Sequence, residues 1–171
     1  FVQALKLTDI ISDISFVTKL EEVPGKLKLV SVNLKVLFAD IVEELSADIA
    51  LNNIRIVNEL DSDNFSGSYN LIYAILRNLL ENAVKYAGEG SVVKVSSKLL
   101  PDGSHELDFH DNGRGVPEDT IDKIFDRFYR ISSDMEMRKE GSGLGLTIVR
   151  NSVLAHKGEI HAYHVPGGGL G

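Results

Sequence analysis

The sequence contains no cysteine, so disulfide bonds and thiolate metal sites are excluded. It also contains no apolar run approaching the roughly 18 residues that a membrane-spanning helix requires. Residues 1–20 lack the basic start and continuous apolar centre of a signal peptide. Positive charge is scarce: the formal net charge is −7, which argues against general affinity for nucleic acid or an anionic membrane. What remains is the composition of an ordinary globular domain with a small added segment.

The added segment is at the amino terminus. Residues 1–22 carry apolar side chains at helical spacing among charged ones, which predicts an amphipathic helix. Pro24 and Gly25 end it. Two interpretations are open: an ordinary surface helix on the following domain, or part of an oligomerising hairpin.

Helical and strand-like patterns alternate through the rest of the chain. Asn33 and Ser68 are predicted helix caps. The predicted elements are a strand at 27–32, a helix at 34–51, a strand at 54–60, a helix from 68 to about 87, strands at 92–99 and 105–109, a short helix from Pro117, a polar loop at 132–142, a helix at 143–156 and a strand at 159–164. This alternation, with a hairpin across residues 101–103, predicts an α/β (α+β) sandwich whose sheet is covered by helices on one face.

The helix over residues 71–86 places two side-chain amides on one stripe. Asn78, Asn82 and Lys85 fall at i, i+4 and i+7, with Glu81 beside them and the apolar side chains opposite. Asparagine is unfavourable inside a helix, so the pair invites a functional explanation. Amide oxygens one turn apart suit Mg²⁺, which takes oxygen ligands and shares them with nucleotide phosphates. The alternative is a solvated helix face.

Asp111 ends a strand and is followed by a glycine turn through Gly113 and Gly115. A carboxylate held there can accept a hydrogen bond from an exocyclic amine such as that of adenine. The alternative is an ordinary Asp-Asn-Gly turn.

Gly141, Gly143 and Gly145 precede a helical pattern and have the form of a phosphate-binding loop. No Gly-Lys-Ser/Thr follows, and no strand leads directly into the loop, so neither the Walker motif nor the dinucleotide fingerprint fits. The polar residues before this loop suit a mobile lid.

The segment 124–130 lies between these two glycine loops. Phe125 and Phe128, at i and i+3, are predicted to pack inward, with Arg127 and Arg130 on the opposite side. An arginine there can stabilise charge on a transferring phosphoryl group, although a solvated arginine is the commoner case.

The order of these segments is more specific than any one of them. Residues 78–86, 111–117, 124–130 and 141–146 resemble the N, G1, F and G2 boxes of bacterial sensor histidine kinases. The wider superfamily includes DNA gyrase, the large heat-shock chaperone and mismatch-repair ATPases. The resemblance implies the Bergerat ATP-binding fold, a two-layer sandwich with a mixed, mostly antiparallel sheet. It further implies a catalytic domain at 26–171, preceded at 1–25 by the end of the second dimerisation helix.

The resemblance assigns a role to each matching residue in the N box. Asn82 and Asn78 match the magnesium-binding amides, Lys85 a phosphate-contacting lysine and Tyr86 an aromatic ring beside the nucleotide. Glu81 is a candidate base toward an imidazole.

The other three boxes supply the base pocket and the phosphate end. Asp111 matches the aspartate that reads adenine, with Gly113 and Gly115 shaping its pocket, and Arg130 matches an arginine directed at the γ-phosphate. The lid end and phosphate loop correspond to Gly141, Gly143, Leu144 and Gly145.

The implied activity is transfer of the ATP γ-phosphoryl group to a histidine on the dimerisation hairpin, with Mg²⁺ as cofactor. The five histidines here all lie at position 105 or beyond, which leads us to expect a fragment of a longer sensor, inactive alone in autophosphorylation. The implied partners are the dimerisation hairpin of the parent homodimer and a response regulator. We expect this segment to contact neither nucleic acid nor a membrane. It is expected to lie in the cytoplasm, as part of a membrane-anchored parent protein. An ATP-binding switch or a protein-serine kinase of the same superfamily is the main alternative, and a pure dimerisation module is the third.

Overall fold

The computed structural model describes residues 27–61, 64–131 and 141–171, together with Ser15, which is helical and exposed. The rest of the predicted helix at 1–22, and nearly all of the predicted loop at 132–142, lie outside the described residues. The strands are β1 (Val30–Asn33), β2 (Arg55–Glu59), β3 (Asn64–Gly67), β4 (Val92–Leu99) and β5 (His105–Asp111). The helices are α1 (Leu34–Glu44), α2 (Ser46–Leu51), α3 (Tyr69–Tyr86) and α4 (Gly145–Ala155), with a 3₁₀ helix at Glu118–Lys123.

The central sheet has the strand order β2-β4-β5. β2 runs parallel to β4, and β5 runs antiparallel to it through the predicted hairpin. β1 and β3 form a separate antiparallel pair. The sheet is therefore mixed, as predicted.

Helices cover one face of this sheet. Val93 and Val95 on β4 are completely buried on that face, whereas Lys94 between them pairs with Glu59 across 2.7 Å on the other. Alternation along a strand sends neighbouring side chains to opposite faces, so the covered face is apolar and the open face is charged. The largest core side chains are Phe38, Ile41, Leu60, Leu76, Leu80, Leu144, Val93, Val95 and Val149.

The predicted caps had different outcomes. Asn33 caps α1 as expected, because its Oδ1 accepts the backbone N–H of Val36 at 3.0 Å. The predicted helix at 34–51 is interrupted at Leu45, which separates α1 from α2. Ser68 precedes α3, but its side chain makes no capping bond. Its backbone N–H instead donates to Nε2 of His156 at 2.9 Å, which ties the start of α3 to the end of α4.

One strand was missed, and one strand prediction was wrong. β3 was not predicted, because its four residues, Asn-Phe-Ser-Gly, show little apolar alternation. The expected strand at 159–164 is not formed; only His164 makes a bridge, to Leu170. Residues 163–171 fold back on themselves around the glycines at 167–169, and the backbone N–H of Asp111 donates to the carbonyl oxygen of Leu170.

Candidate nucleotide-binding site

The start of α4 lies against the amide stripe of α3. A Cβ added at Gly145 would be 2.9 Å from Oδ1 of Asn78 and 3.8 Å from Nδ2 of Asn82. Asn78 is held in place because its Nδ2 donates to the carbonyl oxygen of Ala74 at 2.8 Å. Glycine at this position thus leaves room between the two amides and the backbone of the phosphate loop.

The donor set fits a hard cation. Within the ranges that the structure describes, no three acidic, histidine or cysteine side chains come together to hold a metal. Asn78 and Asn82 offer amide oxygens beside a loop suited to phosphate. Mg²⁺ commonly keeps several waters and takes its other oxygens from substrate phosphates, so it does not need a cage made only of protein groups.

Asp111 is the last residue of β5 and is only partly exposed. Its Oδ1 accepts the backbone N–H of Gly113 at 2.7 Å. Burial raises the pKa of Asp111 above its ordinary value, while the hydrogen bond from Gly113 opposes that rise. Hydrogen bonding from the backbone of Leu170 also opposes the rise, and Asp111 lines the cleft as a hydrogen-bond acceptor.

Gly113 and Gly115, the glycines of the G1 box, allow their backbone to approach other segments of the chain closely. A Cβ on Gly113 would be 2.6 Å from Cα of Ala87, just after α3. Gly115 has a φ of +66°, and a Cβ there would be 2.8 Å from the carbonyl oxygen of Gly169. Side chains at these positions would push Asp111 away from α3.

The G2 loop closes the other end of the site. A Cβ on Gly141 would be 3.1 Å from Oη of Tyr86. Gly143 has a φ of +72°, and a Cβ there would be 2.9 Å from Cα of Phe128. Leu144 is buried and fixes the loop to the core, and its backbone N–H donates to Oγ of Ser142 at 3.2 Å.

The F segment departs from the prediction. Residues 124–130 form turns and not a helix, and Phe128 is 60% exposed with a φ of +60°. The inward packing predicted for Phe128 is therefore wrong; Ile124 is buried instead, and Phe125 is partly buried. Helical spacing misled the prediction because the backbone turns at each end of this segment. Arg130 is exposed.

The structure brings most of the predicted site residues to one cleft. Lining it are Asn78, Glu81, Asn82, Lys85, Tyr86, Asp111, Gly115, Arg130, Gly141, Gly143 and Gly145. Gly113 and Leu144 do not line it, since one packs on Ala87 and the other is buried behind the loop.

Sequence reasoning missed one charged residue at the rim, Arg77. Its Nη2 lies 2.8 Å from Oε1 of Glu81, and its Nε lies 4.0 Å from Oε2 of Glu44 at the end of α1. The i, i+4 spacing to Glu81 was the available signal.

Comparison with known proteins gives matches across this site. Residues 67–170 match the sequence profile of the family described as histidine kinase-, DNA gyrase B-, and HSP90-like ATPase. The chain is 38% identical over 110 residues to the signal transduction histidine-protein kinase BaeS of Escherichia coli K12, covering 64% of this chain and 23% of BaeS. It thus spans well under half the length of the curated relatives it matches.

Solved structures share the fold. The crystal structure of full-length ShkA in complex with AMPPNP matches with a TM-score of 0.82 at 24% identity, covering 96% of this chain and 34% of ShkA. Histidine kinase ThkA in complex with response regulator protein TrrA matches with a TM-score of 0.73 at 20% identity, covering 99% of this chain and 47% of ThkA. The expected fold is confirmed. In the described part of the chain, no helix is both long and apolar enough to cross a membrane.

Proposed function

Because this chain belongs to the family of histidine kinase-, DNA gyrase B- and HSP90-like ATPases, we propose that it is the ATP-binding catalytic domain of a two-component sensor histidine kinase. The reaction is transfer of the ATP γ-phosphoryl group to a histidine on the dimerisation hairpin of the parent protein. The observation that carries this proposal is the meeting of the Asn78 and Asn82 amides with the glycine loop before α4.

Asp111 is the residue that selects the base. Its partly buried carboxylate accepts hydrogen bonds and is placed by Gly113 at the end of the cleft. Adenine presents an amine donor at its six position, whereas guanine presents a carbonyl acceptor there. An ionised carboxylate therefore favours adenine.

The phosphate end is made by backbone and cations. Gly143 and Gly145 let the backbone at the start of α4 pack closely against Phe128 and Asn78. The helix dipole is positive there, and the first N–H groups of a helix have no partner within it. Lys85 and Arg130 line the same cleft and add positive charge. Their role is to neutralise the charge that develops on the transferring group.

Asn82 and Asn78 would hold Mg²⁺ with their amide oxygens. When bound, the metal would neutralise negative charge on the phosphates. The Asn78 amide is already oriented by its bond to Ala74, so its nitrogen is occupied and its oxygen is the atom offered to a metal.

Glu81 is the base in this proposal. One imidazole nitrogen attacks the γ-phosphorus, so an N–P bond forms while the bond to the β-phosphate oxygen breaks and ADP leaves. The other ring nitrogen then gives up its proton, which Glu81 accepts. Because imidazole is itself a good nucleophile, positioning and charge neutralisation account for most of the catalysis.

The parent protein supplies the remaining parts. We assign residues 1–25 to the second helix of the dimerisation hairpin and 26–171 to the catalytic domain, placed in the cytoplasm within a homodimeric, membrane-anchored sensor. The relative BaeS is named a histidine-protein kinase, and ThkA was solved with a response regulator. A cognate response regulator is accordingly the proposed downstream partner.

Calorimetry of Mg-ATP binding tests the site. Asn82→Ala should remove most of the binding while the protein stays folded. Asn70→Ala is the matched control, since Asn70 is exposed near the start of the same helix, roughly 18 Å away along its axis. Full Mg-ATP affinity in folded Asn82→Ala would overturn the assignment.

The rate of transfer tests the phosphate end. In the parent kinase, Arg130→Ala should slow histidine phosphorylation by on the order of 10³ while ADP binding stays close to that of the wild type. Arg55→Ala changes another exposed arginine, on the edge strand β2, and should have no effect. A normal rate in Arg130→Ala would make Arg130 a solvated surface residue.

A further inference from the structure

Four side chains follow one stripe of α3 at every fourth position: Tyr73, Arg77, Glu81 and Lys85. The stripe begins beside Glu44 at the end of α1 and ends at the proposed phosphate site. Neighbours along it are in contact. Oη of Tyr73 donates to Oε2 of Glu44 at 2.7 Å, and Nη2 of Arg77 lies 2.8 Å from Oε1 of Glu81.

The close contact of Arg77 with Glu81 is to Oε1. The other oxygen, Oε2, has Lys85 as its nearest cation, with Nζ at 3.8 Å, which exceeds hydrogen-bond distance. The Glu81 side chain is 24% exposed and lines the cleft. Oε1 is thus engaged while Oε2 is left as an acceptor for a proton.

Arg77 also lies beside an acidic side chain of a second element. Its Nε is 4.0 Å from Oε2 of Glu44, the same oxygen that accepts from Tyr73. Burial raises the pKa of Tyr73, and the hydrogen bond to Glu44 raises it further, so Tyr73 remains a donor. The guanidinium is therefore held by its ion pair with Glu81 one turn along α3, while its buried Nε faces Glu44 of α1 beyond hydrogen-bond distance.

We propose that Arg77 is a positioning residue for phosphoryl transfer, which holds the Glu81 carboxylate so that Oε2 faces the incoming imidazole. The inference rests on the proposed function, in which Glu81 accepts the imidazole proton. A long glutamate side chain on a helix surface has many rotamers, and each rotamer other than the held one moves Oε2 away from the reacting group. Arg77 does not touch the nucleotide; it acts through Glu81.

Arginine and lysine should differ at this position. The planar guanidinium reaches Glu81 with one nitrogen and faces Glu44 with another, whereas a lysine ammonium is a single point charge. Arg77→Lys keeps the charge and can contact Glu81, but it loses the planar group whose second nitrogen faces Glu44. It should recover part of the activity that Arg77→Met loses.

The test uses the parent kinase and measures the kcat for histidine phosphorylation and the KM for ATP. Arg77→Met should lower kcat by about 10- to 100-fold, since misplacement of a catalytic group by about 1 Å has effects of that size. The KM for ATP should stay within about twofold. Arg55→Met serves as the control for loss of an exposed arginine elsewhere.

A double-variant cycle separates positioning from a structural role. If Arg77 acts through Glu81, then Arg77→Met should have no further effect in a Glu81→Gln background. A full additional loss in that background, or a rise in KM with kcat unchanged, would overturn the inference. If Glu81→Gln keeps the wild-type rate, the inference fails while the kinase assignment stands. Absence of any phosphohistidine from the wild-type parent would overturn both.

Discussion

Gly145 and Asn78 lie so close together that a Cβ on the glycine would be 2.9 Å from Oδ1 of the asparagine. A side chain on the first residue of α4 would therefore have to displace the Asn78 amide in the middle of α3. Because the contact joins the proposed phosphate loop to a proposed metal ligand, it couples loop position to amide position.

Gly145→Ala should accordingly weaken Mg-ATP binding about tenfold, or about 1.4 kcal/mol. The added methyl group would push the Asn78 amide off its bond to Ala74 or push the loop outward. Calorimetry on the folded variant checks this. Unchanged affinity would show that loop and amide do not act together. In an Asn78→Ala background, Gly145→Ala should change the free energy of unfolding much less than it does in the wild-type background.

Asp111→Asn should narrow the preference for ATP over GTP. An amide can rotate to donate or to accept, whereas the carboxylate only accepts. Leaving a buried polar group unpaired costs roughly 1–3 kcal/mol, so the wild type should discriminate by about tenfold or more. Competition between the two nucleotides measures the ratio. An unchanged ratio in the variant would leave Asp111 as a turn residue.

The same substitution should stabilise the free protein at neutral pH. Burial raises the pKa of Asp111 in the folded protein. The protonated carboxyl therefore contributes fully to stability below the ordinary aspartate pKa of about 3.9, and this contribution is lost as the pH rises through the pKa of the folded state. Asparagine carries no charge to bury and can still accept from Gly113. Asp111→Asn should therefore have the higher free energy of unfolding at pH 7.

Denaturant titrations of both proteins between pH 3.5 and 7, without nucleotide, check this prediction. The advantage of Asp111→Asn should shrink as the pH falls through the raised pKa of Asp111, because the wild-type carboxyl then becomes neutral. A wild type that is more stable at pH 7, or an advantage that grows on acidification, would contradict the prediction.

His156 is expected to matter for stability and not for chemistry. Its Nε2 accepts the backbone N–H of Ser68 at 2.9 Å, while Nδ1 donates to the carbonyl oxygen of Ser152 at 2.8 Å. His156→Ala leaves the Ser68 N–H unpaired and should lower the free energy of unfolding by about 1–3 kcal/mol. His161→Ala is the matched control: His161 is 81% exposed, and its loss should stay within about 0.5 kcal/mol. Equal effects from both variants would show that the hydrogen bond between His156 and Ser68 contributes nothing to stability.

Parts of the fold could be predicted from local sequence where local chemistry decides the structure. Asn33 caps α1, the hairpin turns at residues 101–103, and Gly88 and Gly90 follow α3 with positive φ. Failures occurred where a distant contact decides. The N–H of Ser68 is satisfied by His156, which lies 88 residues away.

The candidate site shows the same contrast between features set by local sequence and features set by distant contacts. The amide stripe of Asn78 and Asn82, Asp111 and the glycine loop were identified from their motifs, and the structure places them around one cleft. The exposed Phe128 was not predicted, because its backbone N–H pairs with the carbonyl oxygen of Gly143, a distant contact that helical spacing does not signal. Arg77 was missed because its contact with α1 depends on tertiary packing.

The most direct test of the central claim is the chemistry of the phosphorylated product. A protein comprising the dimerisation hairpin and this domain should incorporate label from γ-labelled ATP, and the label should be labile in acid and stable in alkali, as a phosphorylated histidine is. The same protein with the hairpin histidine changed to glutamine should take up none. Label that is stable in acid would indicate a serine kinase, and no label at all, with ATP bound, would indicate a nucleotide switch; either result would contradict the account.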